Sequence, residues 1–221
     1  MVYLYEIIIK TTVALSTVLA LLLIFKYHKL NFFLKVVGIY IIVGASIDIV
    51  STALYYEKEN NLQFLHLFTL FEFVILSYLF KNLFELLKSK INILYLSIPS
   101  TIFIIINAWL IQNIESLNSY SSILSSIIII GFCIHFFILI LDIDIKNFQF
   151  ITLKWFIICL FLYHSISIIV MLFGGIILSI SRDVVTTIWG FRSVVIMATK
   201  IVISICFIKL FFFNSNLELN E

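Results

Sequence analysis

A chain of 221 residues that is 63% hydrophobic and 12% charged cannot cover a globular surface with polar groups, which excludes a soluble fold. Its net charge of +2 comes from basic residues scattered through short breaks, without the basic cluster or tail of a nucleic-acid-binding protein. Neither end carries a stretch able to fold alone, so residues 1–221 are read as a single membrane domain.

About 20 apolar residues are needed to cross the hydrocarbon. Runs of that length predict spans at 7–25, 34–56, 62–84, 91–112, 119–141, 152–180 and 186–213. These must be helices, because lipid leaves unpaired backbone groups unanswered and the runs are far longer than barrel strands. The predicted fold is therefore all-α, with seven transmembrane helices. The first run follows an acidic start at Glu6 and lacks a small-residue cleavage site, so it reads as a span and not as a signal peptide. Lys26, Lys29, Lys35, Lys81, Lys88, Lys90, Lys146, Lys154 and Lys209 gather on one side, against Lys58 and Arg182 on the other. The positive-inside rule then places the N-terminus outside and the C-terminus in the cytoplasm. Pro99 is the only proline, and no repeat relates the first three spans to the last three. Both features argue against a sugar transporter built from two three-helix halves.

Charges within these spans are expensive unless something answers them. On the second helix, Gly44, Asp48, Ser51, Thr52 and Tyr55 recur at three- and four-residue steps and share a face. On the third, His66, Thr69 and Glu72 step by threes and drift around the axis, which leaves histidine and glutamate on different sides of one polar arc. The fifth carries His135, and the sixth carries His164, Ser167 and Met171 leading to the pair Gly174 and Gly175. On the seventh, Ser193, Lys200 and Ser204 fall on one line beside Arg192 and Thr199. At 1.5 Å per residue, Glu72 and Lys200 lie about 15 and 21 Å from the outer ends of their spans, and Asp48 and Arg192 about 12 and 9 Å. Depth thus predicts Glu72 with Lys200 near the midplane and Asp48 with Arg192 above them. A polar cavity opening outward between helices two, three, six and seven accounts for most of these positions. The competing reading is that the same groups only hold helices together, at about 1 kcal/mol per interhelical hydrogen bond.

Catalytic signatures are lacking: the sequence has no HExxH, no glycine-flanked nucleophile and no glycine-rich phosphate loop, so it is not read as an enzyme. Asp142 and Asp144 in "LDIDIK" have the spacing of a metal-diphosphate site suited to a lipid enzyme, but beside Lys146 in a loop they read as a solvated turn. No metal site is predicted. Cys133, Cys159 and Cys206 lie inside apolar runs without metal or disulfide spacing and read as core residues.

Two resemblances bear on function. Seven helices with a midplane lysine on the last and a carboxylate on the third resemble retinal proteins, in which the lysine carries the Schiff base and the acid is its counter-ion. That likeness would make Lys200 a retinal site. However, "MATKIVISICF" offers Ile196 rather than an acid one turn before it, and the third span lacks the Arg and Asp/Thr pattern of microbial rhodopsins. No cofactor is therefore predicted, with retinal kept as the alternative. The segments "NNLQFLHLFTLFEFVILSYLF", "LKWFIICLFLYHSISIIVMLFG" and "IWGFRSVVIMATKIVISICFIKLFFF" resemble an uncharacterised family of small bacterial seven-helix membrane proteins. Its Asn–His–Thr–Glu pattern falls here on Asn61, His66, Thr69 and Glu72, with the acid of the second span at Asp48. The resemblance implies no established activity; it implies a bacterial inner membrane and a partner such as a membrane sensor kinase.

The candidate cavity or ion-pair residues are Asp48, His66, Thr69, Glu72, His164, Arg192 and Lys200. The function expected is that of a sensor or signalling accessory, which binds a small ligand in the outer cavity and passes the signal to another membrane protein. A small-solute or proton-coupled transporter is the alternative, followed by a retinal-type photoreceptor and an intramembrane lipid enzyme.

Overall fold

The computed structural model describes residues 2–141, 148–179 and 182–213. Those residues form α1 (Val2–Lys26), α2 (Phe32–Glu57), α3 (Leu62–Leu86), α4 (Leu94–Ile106), α5 (Ser119–Leu139), α6 (Phe148–Ser179) and α7 (Arg182–Phe213), and no strand. All seven are long and apolar enough to cross a membrane once the turn that continues α4 is counted with it. The abundant isoleucine and valine do not produce sheet, because in lipid only a helix satisfies each segment's own backbone groups. Asp142 and Asp144 lie outside the described residues.

Local chemistry sets the helix ends. Asn31 caps α2, its Oδ1 accepting the Leu34 amide at 2.9 Å. At the far end Lys58 adopts a left-handed conformation (φ 61°), and its N–H reaches back to the carbonyls of Leu54 and Tyr55. Asn61 ties this turn down by donating its amide to the Ser51 carbonyl at 3.1 Å and to Ser51 Oγ at 3.0 Å. The fourth span is more irregular than the sequence predicts. After Ile106 the chain widens into a π-type turn, Asn107–Ile111, closed by the Gln112 N–H on the Asn107 carbonyl at 2.8 Å. The cause is polar: buried Asn107 donates to Gln112 Oε1 at 2.9 Å and to Ser121 Oγ at 2.8 Å, which draws the end of α4 onto α5.

Six helices form a closed ring in the order α1, α2, α3, α5, α6, α7, with α7 returning to α1. Helix α4 packs outside the ring on α3 and α5, and α2 meets α6 across its middle. The half of the ring nearest the lysine-rich turns is filled by fully buried Leu23, Leu34, Phe80, Phe84, Phe136 and Phe207. Phe80, Phe84 and Phe132 pack with ring centroids 5.6 to 6.2 Å apart. Such shape-fitted contacts hold membrane helices together, since lipid supplies no hydrophobic drive between them. The buried ionisable side chains occur in the opposite half, where the ring is not filled.

Candidate functional site

A cavity of about 280 Å³ lies inside this second half of the ring. Five helices wall it: Ser16 from α1, Tyr40, Gly44, Asp48 and Ser51 from α2, Phe64 and Phe68 from α3, Phe156 and Tyr163 from α6, and Arg192, Thr199 and Lys200 from α7. Sequence periodicity anticipates α2, α3, α6 and α7, and the structure adds α1.

The charged groups pair differently from the order that depth predicts. Lys200 Nζ binds Asp48 Oδ2 at 2.5 Å and Ser16 Oγ at 2.6 Å, while Ser16 Oγ lies 3.3 Å from the same carboxylate oxygen. Glu72 does not meet Lys200. It is 5% exposed, accepts the Tyr40 hydroxyl at 2.9 Å, and lies 3.9 Å from His164 Nε2. Arg192 is not the partner of Asp48 either: it donates to the Tyr163 hydroxyl at 3.4 Å and rests 5.7 Å from the centre of that ring. It also stands close enough to Glu72 and His164 to act on both electrostatically. The physical reason is lateral position. Helix α7 packs chiefly on α1 and α6, so Lys200 points to Ser16 and reaches Asp48 on the next helix round the ring.

Behind Tyr40 a polar line crosses the bundle. It runs from Tyr40 on α2 to Glu72 on α3, to His164 on α6, and to Ser126 on α5, whose Oγ lies 3.0 Å from His164 Nδ1. If Ser126 donates to Nδ1, the imidazole carries its proton on Nε2, the nitrogen that faces Glu72. That nitrogen is buried, and 3.9 Å is too long for a hydrogen bond, so this one joint in the line stands open.

Other candidates lie elsewhere. His66 is buried on the far side of α3, where Nε2 donates to the Ser116 carbonyl at 3.1 Å and pins the α4–α5 connection. Thr69 bonds only to its own helix, at the Leu65 carbonyl. Tyr55, on the α2 stripe, is exposed. His135 bonds Ser89 at 2.8 Å and packs on Phe84 near the lysine-rich end. His66→Ala is therefore expected to cost about 1 kcal/mol and to speed amide exchange over 112–118, read by hydrogen-exchange mass spectrometry, while leaving exchange around the cavity unchanged. Among the described residues no group of three His, Cys, Asp or Glu side chains could hold a metal ion. The three cysteines are free; Cys133 and Cys159 are buried, and Cys159 borders the cavity.

Sequence reading misses Ser16, Tyr40, Tyr163 and Ser126. Tyr40 carries a signal, because it stands four residues before Gly44 and eight before Asp48 and so extends the same face. Ser16 does not, since Thr11, Thr12 and Thr17 around it bond back to their own helix in the same way and nothing singles it out.

Comparison with protein-family models, with curated proteins and with solved structures finds no match for this chain. The fold and the site therefore define a class only: a polytopic, seven-helix membrane protein with a partly polar cavity inside its ring.

Proposed function

We propose that this protein is a sensor or signalling accessory of the bacterial inner membrane, with its N-terminus outside and its C-terminus in the cytoplasm. It binds a small ligand in the ring cavity and passes the binding event to a partner membrane protein. One observation carries the reading: a cavity with both signs of charge on its wall sits above a half-bundle closed by packed phenylalanines. A site that is walled below and charged within is suited to holding a solute. The orientation follows from the lysine-rich turns. The sensor kinase as partner rests on the resemblance of the third, sixth and seventh helices to a family of small bacterial seven-helix proteins.

Readout from such a cavity needs a bistable contact. The line from Tyr40 through Glu72 and His164 to Ser126 is suited to that role, because its open joint at 3.9 Å closes with a small shift of the Glu72 or His164 side chain or of the helices that carry them. A ligand that moves Tyr40 changes the balance at that joint.

The same carboxylates could serve a transporter. Against that, no buried charged side chain lies in the lysine-rich half among the described residues, so the buried carboxylate has no charged successor toward that face. The retinal alternative draws support from Lys200 lining the cavity with Asp48 bound to its amine.

The test is native mass spectrometry with an absorption spectrum, on protein extracted gently from its own membrane. A small bound solute that is lost in Asp48→Asn, together with a co-purifying membrane protein, is the expected result. Uptake into proteoliposomes driven by a pH gradient and lost in Glu72→Gln would move the assignment to transport. A visible band lost in Lys200→Ala would move it to a photoreceptor, and lipid turnover lost in Asp142→Asn to an enzyme.

A further inference from the structure

The charges around the cavity limit what it can hold. Among the described residues, the charges at the cavity and behind Tyr40 are Asp48 and Glu72 against Lys200 and Arg192, so a ligand with net charge would add to a set that is even, at a cost of several kcal/mol within the membrane. The balance is not evenly displayed, however. Glu72 is withdrawn behind the Tyr40 hydroxyl, while Asp48, Lys200 and Arg192 line the space itself.

Asp48 is the informative group. Both of its contacts, to Lys200 and to Ser16, fall on Oδ2; Oδ1 makes no hydrogen bond among the described residues, and the side chain is 38% exposed. A carboxylate oxygen in that position is built to accept a donor from whatever occupies the cavity. Arg192 presents a planar, permanently charged guanidinium to the same space, steadied by the Tyr163 ring and hydroxyl. The remaining wall is apolar, with Ile41, Phe64, Phe68, Leu160, Ile196 and Ile203. At about 280 Å³ the space lies just under the usual range of ligand sites, which begins at about 300 Å³, and so suits only a small molecule.

We infer that the cavity takes a small zwitterion with an apolar body, of the size and chemistry of an apolar amino acid. Its ammonium group meets Asp48 Oδ1, its carboxylate meets Arg192, and its side chain lies against the apolar wall. A neutral apolar molecule would bury Asp48 Oδ1 without a donor. A monoanion or monocation would upset the charge balance. This assignment rests on the reading of the cavity as a ligand site and goes beyond it in naming the ligand class.

The test compares charge forms of one carbon skeleton on the intact protein in nanodiscs. Thermal stabilisation and equilibrium binding are measured with leucine and phenylalanine, with their deaminated acids 4-methylpentanoate and 3-phenylpropionate, and with their decarboxylated amines isopentylamine and phenethylamine. The expected result is that at least one amino acid stabilises the protein at millimolar concentration, and that its acid and its amine each bind about tenfold or more weakly, the effect of losing one charged contact. Asp48→Asn should narrow the gap between the amino acid and its acid. Because that variant is also expected to lose stability, the wild-type series decides the matter alone. Acid binding as tightly as the amino acid, an equally tight amine, or no binding by any of the six would overturn the zwitterion assignment. A different solute found by native mass spectrometry would then leave the ligand site standing, whereas no bound solute in either experiment would remove both readings.

Discussion

Lys200→Met and Asp48→Asn are each expected to lower the stability of the folded bundle by about 2–3 kcal/mol, and the double variant to recover most of the loss. Each single change leaves one charge stranded inside the membrane, and breaking a buried pair costs about 3–5 kcal/mol when both partners are fully enclosed. Here the side chains are 24% and 38% exposed, so the expected loss falls below that scale. Unfolding in mixed micelles, carried through the full double-mutant cycle, should return a coupling of about 3–5 kcal/mol, the two single losses less the little that remains in the double variant. The pairing that depth alone predicts gives the control: Glu72→Gln combined with Lys200→Met should be additive, since those side chains do not meet. Additivity of Asp48→Asn with Lys200→Met, or strong coupling of Glu72 to Lys200, would refute the observed pairing.

Tyr40→Phe is expected to cost about 2 kcal/mol, because it removes the hydroxyl that Glu72 accepts at 2.9 Å and leaves a buried carboxyl group short of a donor. Glu72→Gln should cost less, since an amide oxygen can still accept from Tyr40. In the Glu72→Leu background the Tyr40→Phe change should become nearly neutral, because both halves of the contact are then gone. The consequences should reach α5. Hydrogen exchange around Ser126 is expected to quicken in Tyr40→Phe, as the line through Glu72 and His164 loses its anchor. Unchanged exchange at α5 would show that the polar line does not couple the cavity to the rest of the bundle.

The seven helices are legible in the sequence because membrane physics leaves little choice: a long apolar run must be a helix, and its length is fixed by the bilayer. Polar residues at helical spacing also point to the right walls of the cavity, as Gly44, Asp48 and Ser51 show on α2. Pairing is a different matter. Depth along a helix orders groups in one dimension, and the four charges are close enough in depth that their lateral arrangement decides. The sequence does not reveal that α1 closes the ring against α7, so Ser16 could not be placed beside Lys200. His66 illustrates the reverse error. In a polar arc it looks like a site residue, but its face of α3 turns to the α4–α5 connection, where Nε2 donates to the Ser116 carbonyl.

With the orientation proposed above, the cavity is reached from the outer face and shut off from the cytoplasm by the packed half of the ring. The most direct test of this is labelling of a cysteine at Ser51 by a membrane-impermeant thiol reagent, in a chain whose Cys133, Cys159 and Cys206 are replaced by alanine. Rapid labelling of the Ser51→Cys protein in intact cells, with none at a Phe80→Cys control in the packed half, is the predicted result. Labelling of the same position only in inverted membranes would contradict it.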